Sequence, residues 1–464
     1  MNARTLLVAA LATKLGLAQT TCHDLGPFTA IAQEAIAQLQ LPGMVLRLDQ
    51  HGQQVLLQTY GTHAVTTAMP LASASKPLAA AVLMSLVDQQ LLQLDDPVGL
   101  YLPEYAVGAK ATITLRMCFA HTSGLPTFDP VTTDTTITLR QAAAQIALMP
   151  LHFAPGTAFD YGNVSMHVAG AVCEVVTGVP WHQLFLQRIG NPLGMTATGF
   201  AAPPLTANPG IADGAVGDAE DYTRFLDMLR QGGVWNSVRV LSAASVQEML
   251  SDQMGSRPVI WTPHPFGVPC GLGMWLERRD PLGRTLLACA PGAFGFFGWL
   301  DAEHDATGVW LATTFYVWSY PYLLRCWNAT DAALAPLGVA CAGMTTPPCA
   351  PTPRFHATTW ARDGQPDFGV AVTDAPPSSF GGASFQFGPP SPGVALFDLI
   401  NYVPNPLTLL VLATDAAGSG GLTFGLPPGL QGLVCTMQGA WLYPGTCGTS
   451  GLLASRALQI TVLP

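Results

Sequence analysis

The sequence predicts an α/β protein of the α+β type with a small all-β domain at its C-terminal end. Three observations predict it. Helical apolar spacing and a hairpin-like alternation follow one another near the N-terminus, apolar strand runs cluster between residues 271 and 315, and composition changes beyond residue 352. Past that point lysine is absent, charges are few, and Gly/Pro turns separate short runs such as "DFGVAVTDA", "TLLVLATD" and "LQITVLP". Short strands spaced by turn residues predict a β-sandwich over 353–464. The Pro/Gly-rich stretch "LGVACAGMTTPPCAPTP" predicts a linker over 336–352.

Taken in order, Arg4, the apolar run Leu6–Ala12 and the small residues near Ala18 outline a secretory signal peptide over 1–20, so a secreted or periplasmic protein is expected. "FTAIAQEAIAQLQ" has helical spacing, and "GMVLRLDQHGQQVLLQTYG" alternates about His51-Gly52 as a hairpin does. In "LASASKPLAAAVLMSLVDQQ" the apolar positions Leu78, Val82, Leu86 and Val87 predict an amphipathic helix. Residues 100–235 carry several helix signals. The clearest is "GDAEDYTRFLDMLRQGG", where Asp218 caps the start, Asp221 lies in the first turn and Gly232 stops the helix. "GLGMWLERRDPLGRTLLACAPGAFGFFGWL" and "GVWLATTF" read as strands around an Asp-Pro-Leu-Gly turn.

Composition narrows the function. Hydrophobic residues make up 49% of the 464, enough for packed cores, while charged residues are 10% and the net charge is −10. Phosphate binding needs clustered Lys and Arg, so no nucleic-acid partner is expected. Beyond the leader, no run approaches ~18 uninterrupted apolar residues, so no membrane span is expected. The histidines and cysteines form no C-x-x-C or H-E-x-x-H spacing, so neither metal nor cofactor is expected. Ten cysteines fit an oxidising compartment. Cys341 with Cys349, and Cys435 with Cys447, are close enough to close small loops, although spacing leaves connectivity open.

One of the three lysines, Lys76, lies three residues after Ser73 at the start of a predicted helix. Residues at i and i+3 share a helix face. A serine hydroxyl becomes a nucleophile when a neighbouring base takes its proton, and a lysine does so when burial lowers its pKa. Tyr161-Gly162-Asn163 lies on a turn before the apolar helix "VSMHVAGAVCEVV", "ITLRMCFAHTSGLP" precedes it and "NPLGMTATGF" follows.

In this order and at these intervals the chain resembles the serine β-lactamase and penicillin-binding-protein superfamily over about residues 25–330. The closest branch looks like the class C β-lactamases and their esterase relatives. The resemblance implies an antiparallel sheet flanked by helices, a mostly helical lobe over about 100–235, and a hydrolase domain over 22–335. It also implies catalytic roles. Ser73 would form an acyl-enzyme, and Lys76 and Tyr161 would share the base role, Tyr161 as a phenolate held by Lys76 or as a relay to the leaving group. Asn163 would hold Lys76 and the substrate. Relatives carry Lys-Thr-Gly or His-x-Gly as a third block; here the stretch reads Ala290-Pro291-Gly292, with no basic side chain to grip a substrate carboxylate. Gly292 is expected to permit close substrate approach, and the Ala293 N–H to form an oxyanion hole with that of Ser73.

A small-molecule ester or amide is therefore the expected partner, a carboxylic ester foremost. A weak or inactive recognition protein and a β-lactamase or D-amino-acid peptidase are the alternatives. His121 and His167 are expected to be structural, and Asp95-Asp96-Pro97 a helix exit. Glu303-His304-Asp305 is expected to be a polar turn. Phe294, Phe296, Phe297 and Trp299 are expected mainly to pack the sheet, with some walling an acyl pocket.

Overall fold

A computed structural model describes residues 25–200, 206–334 and the strands between 339 and 461. The expected leader and both expected disulfide loops lie wholly or partly outside the described residues. The chain divides into two compact units, one of Phe28–Cys326 and one that includes Trp327–Pro464.

The first unit opens with helix α1 (Gly26–Leu39), which buries Phe28, Ile31, Ala32 and Ala35 on one stripe. Strands β1 (Gly43–Gln50) and β2 (Gln53–Gly61) pair antiparallel as the expected hairpin. His51 and Gly52 both take positive φ, 53° and 72°, the conformation that lets a two-residue loop follow the strand twist. Helix α2 (Ser75–Asp88) differs from its expected amphipathic character. Every residue from Ser75 to Leu86 is buried, and the helix runs through the centre of the core. The Leu/Val stripe is real, but Ala79, Ala80 and Ala81 are small enough for neighbours to close over the remaining faces.

Helix α3 (Val164–Thr177) and helix α4 (Ala219–Arg230) follow. The Asp218 side chain caps α4 by accepting from the Asp221 N–H at 2.8 Å, and Gly232 ends the exit turn at φ 61°. The remaining strands are β3 (Trp275–Arg279), β4 (Thr285–Pro291), β5 (Phe296–Asp301) and β6 (Ala306–Ala312). They complete a six-stranded antiparallel sheet of order β2-β1-β6-β5-β4-β3, and helix α5 (Tyr316–Ala333) leaves from its last strand. The expected turn joins β3 to β4, with Gly283 N–H donating to Asp280 O at 2.9 Å. Asp95 and Asp96 serve the turn after α2, pairing with Arg116 and Tyr101. Glu303-His304-Asp305 is the β5–β6 turn, with the buried His304 against Asp301 at 3.0 Å.

Gly308 on β6 is a close-approach position. A Cβ there would lie 2.0 Å from Cζ2 of Trp299, whose ring is 2% exposed. Gly308→Ala is expected to destabilise the fold by roughly 3 kcal/mol through overpacking. A urea midpoint equal to that of the wild type would show that the strand pair yields instead.

From Val339 on, the described strands of the second unit pair antiparallel. One sheet orders Val339–Ala342, Ala457–Thr461, Val434–Leu442, Phe380–Phe387 and Thr408–Ala413, with Leu452–Ala454 beside Val434–Leu442. A second joins Arg354–Ala357, Phe368–Thr373 and Gly420–Phe424.

Candidate active site

Ser73 sits in a short 3₁₀ turn, Ala72–Ala74, that runs into α2. Ala72 has φ 47°, a left-handed conformation that costs a non-glycine residue about 1 kcal/mol or more and so has to be held by its surroundings. One helical turn on, Lys76 is 1% exposed. Its Nζ donates to Ser73 Oγ at 3.2 Å, to Asn163 Oδ1 at 3.0 Å and to Ala212 O at 3.3 Å. Three acceptors match the three donors of an ammonium. Even so, burial outweighs every favourable partner and lowers the Lys76 pKa to about 8, against an ordinary 10.5. Among those partners the carboxylate of Asp213 counts. Cys270 is close too, but burial pushes its thiol up to about 12, so it carries no charge near neutral pH. The other described lysine, Lys110, is spent on the carbonyls of Ala147 and Met149, each at 2.6 Å.

Asn163 is the N-cap residue of α3 and is anchored by its N–H to Thr127 O at 2.7 Å. Its carboxamide is oriented from both sides: Oδ1 accepts from Lys76, and Nδ2 donates to Asp213 Oδ2 at 2.6 Å. Asp213 is a residue that sequence reasoning missed. It lies in the tight turn Gly210–Gly214, and an Asp-Gly pair reads as turn chemistry alone. Asp213→Asn keeps an acceptor for Asn163 but removes the charge that holds a proton on Lys76. Any activity that depends on neutral Lys76 is then expected to shift to lower pH. An unchanged or upward-shifted kcat/KM profile would contradict this coupling.

Tyr161 lies in an aromatic nest, stacked on Trp275 at 5.3 Å and 4.5 Å from the His121 ring. Lys76 Nζ sits 4.7 Å above the ring centroid, over its face. Of the two roles expected for Tyr161, phenolate or relay, its surroundings favour the relay. Burial raises the Tyr161 pKa well beyond 10, and hydrogen bonding to Ser73 opposes that only in part, so the side chain remains a phenol at neutral pH.

The Ala290-Pro291-Gly292 segment ends β4. Gly292 donates its N–H to Phe296 O at 2.7 Å, and a Cβ on it would lie 2.2 Å from Leu71 O. The close approach for which glycine is needed here is to the chain just before Ser73. Ala293 borders the same cleft as Ser73, and its N–H has no acceptor among the described residues. Phe296, Phe297 and Trp299 are buried sheet residues, while Phe294 is 53% exposed at the cleft. His121 and His167 are both buried and kept neutral by it. Among the described residues no cluster of three metal-ligating side chains occurs.

The cleft encloses about 500 Å³. Ser73, Tyr161 and Asn163 line it together with Trp261, Trp275 and Phe294, and no Lys or Arg does. Its far wall holds a second group that spacing did not reveal. The His264 ring is 3.1 Å from a Glu277 oxygen and 2.9 Å from the Tyr320 hydroxyl, which itself donates to Glu277 at 3.0 Å. The three residues come from a loop, a strand and α5, and only folding brings them together. "WTPHPFG", with His264 between two prolines, was the one local hint.

Comparisons with known proteins identify the family. The family model described as Beta-lactamase matches residues 28–324. The uncharacterized protein MT1414 of Mycobacterium tuberculosis is 27% identical over 51% of this chain and 72% of its own length. Esterase EstB of Burkholderia gladioli is 30% identical over 37% of this chain and 50% of its own. A solved β-lactamase-like structure from Bacteroides dorei superposes with a TM-score of 0.59 at 30% identity, covering 65% of this chain and 98% of that one.

Proposed function

Since the chain belongs to the β-lactamase family, whose hydrolases include esterases, we propose that it is a serine hydrolase acting on neutral carboxylic esters through a Ser73 acyl-enzyme. The observation that carries this is the Lys76 amine, buried, lowered to about pH 8 and 3.2 Å from Ser73 Oγ. Neutral Lys76 takes the Ser73 proton as Oγ attacks the ester carbonyl. The amides of Ser73 and Ala293 are the donors for the oxyanion that forms. As the tetrahedral intermediate collapses, the C–O bond to the alcohol breaks. The alkoxide receives the phenolic proton of Tyr161, and the proton that Lys76 took from Ser73 then passes to the Tyr161 oxygen. Water then cleaves the acyl-enzyme by the reverse relay and releases the acid.

The missing basic group at Ala290 favours esters without a carboxylate near the reacting carbonyl. The N-terminal pattern favours export of the enzyme.

The test is the hydrolysis of p-nitrophenyl butyrate against pH, with nitrocefin assayed beside it. kcat/KM is expected to rise through one ionisation near pH 8, set by loss of the Lys76 proton, and nitrocefin to be turned over far more slowly. A flat profile between pH 6 and 9 would remove Lys76 as base. Faster nitrocefin turnover would replace the ester reading with the β-lactamase one, and no turnover of any acyl chain length would favour a recognition protein.

A further inference from the structure

Six Phe and Trp residues among the described residues expose a third or more of their surface: Phe128, Trp261, Phe266, Phe294, Phe315 and Trp318, at 44–67%. All six lie on the segments that border the cleft. Phe128, Trp261, Phe294 and Phe315 line it directly. The Phe266 ring is 6.2 Å from those of His264 and Tyr320, which line it too, while Trp318, whose backbone N–H donates to Phe315 O at 3.0 Å, carries the apolar surface into an adjoining groove lined by Leu39, Glu34 and Arg325. Val259, Ile260 and Val317 on the same segments are 43–56% exposed. Scattered exposed apolar residues need no explanation, but a collar around one opening does.

We infer that this collar seats the cleft on the surface of an uncharged lipid phase, so that the substrate is a water-insoluble acyl ester drawn from that phase. The inference rests on the ester-hydrolase reading and narrows its substrate. Three features favour a lipid over a protein occupant. The apolar surface is continuous with the pocket that would take the acyl chain. Its Phe and Trp rings are the side chains that partition to a lipid–water boundary. No Lys or Arg lines the cleft and the chain carries a net charge of −10, which opposes anionic surfaces and leaves neutral or zwitterionic ones. No single helix among the described residues is long and apolar enough to cross a membrane.

The test uses the full chain and the triple substitution Ile260→Ser, Phe266→Ser, Trp318→Ser, whose side chains flank the cleft without lining it. Phosphatidylcholine vesicles are floated with Ser73→Ala protein, with and without the triple substitution. Separately, the rate on emulsified tributyrin is compared with that on dissolved p-nitrophenyl acetate. Ser73→Ala protein is expected to float with the vesicles, and the triple substitution to cut the bound fraction at least tenfold. In the Ser73 background the triple substitution is expected to cut the emulsion rate at least tenfold and leave the dissolved-ester rate within twofold. Vesicles carrying phosphatidylglycerol are expected to bind less. Flotation without any ester turnover would keep the surface and reject the ester reading. Ester turnover with no flotation, or equal losses on emulsion and dissolved ester, would overturn the inference. So would a wild-type dimer on gel filtration that the triple substitution dissociates, because a second copy would then occupy the collar.

Discussion

Ser73→Ala is expected to lower kcat/KM for p-nitrophenyl butyrate by about 10⁴-fold or more, the scale seen when a nucleophile that acts as one unit with its base is removed. The substitution deletes one hydroxyl from a partly buried position. Lys76 keeps Asn163 and Ala212 as acceptors, so the fold loses little. Urea midpoints of the two proteins are therefore expected to agree within about 0.5 kcal/mol of stability. A variant that retains a tenth of the wild-type rate would place the nucleophile elsewhere.

The second large effect is opposed in sign between activity and stability. Lys76→Met removes the base and is expected to cost about 10²–10⁴ in kcat/KM. It also removes a charge that the fold buries at a loss. The amine gives up its proton near pH 8 in the folded protein and near 10.5 when unfolded, a difference of about 3 kcal/mol. Below pH 8 both states hold the proton and the folded state bears the full cost. Between pH 8 and 10.5 only the unfolded chain holds it, so wild-type stability rises with pH; above 10.5 the cost is gone. The stability of Lys76→Met relative to wild type is thus expected to be highest below pH 8 and to decline by about 3 kcal/mol as pH approaches 10.5. Denaturant unfolding of both proteins at pH 7 and pH 10 measures this. A pH-independent difference would mean that Lys76 titrates normally in the fold.

The relation between Ser73 and Lys76 was legible in the sequence because it is local: three residues of helix set the geometry whatever surrounds them. The His51-Gly52 hairpin and the Asp218 cap were legible for the same reason. Tyr161 and Asn163 were found through the order and spacing of motifs, since nothing local ties a turn residue to a serine 88 positions earlier. What escaped depends on tertiary burial. The helix after Ser73 showed an apolar stripe, but whether its alanine faces meet water or protein is decided by neighbours distant in sequence. The choice between phenolate and relay for Tyr161 was left open because proximity to a lysine is a pairwise argument, whereas desolvation is set by Trp261, Trp275 and His121 around the ring. Asp213, and the group of His264, Glu277 and Tyr320, carry no spacing signal at all. Gly292 was flagged for its small size, yet the atom that requires it is the carbonyl of Leu71.

The central proposal is that a buried, readily deprotonated amine makes the Ser73 hydroxyl an acyl acceptor. Intact-mass analysis after treatment with a fluorophosphonate, followed by peptide mapping, tests it most directly. The expected result is a single adduct on Ser73, formed faster as pH rises through 8 and absent from Ser73→Ala. An adduct on another residue, or folded protein that hydrolyses esters while Ser73 stays unlabelled, would contradict it.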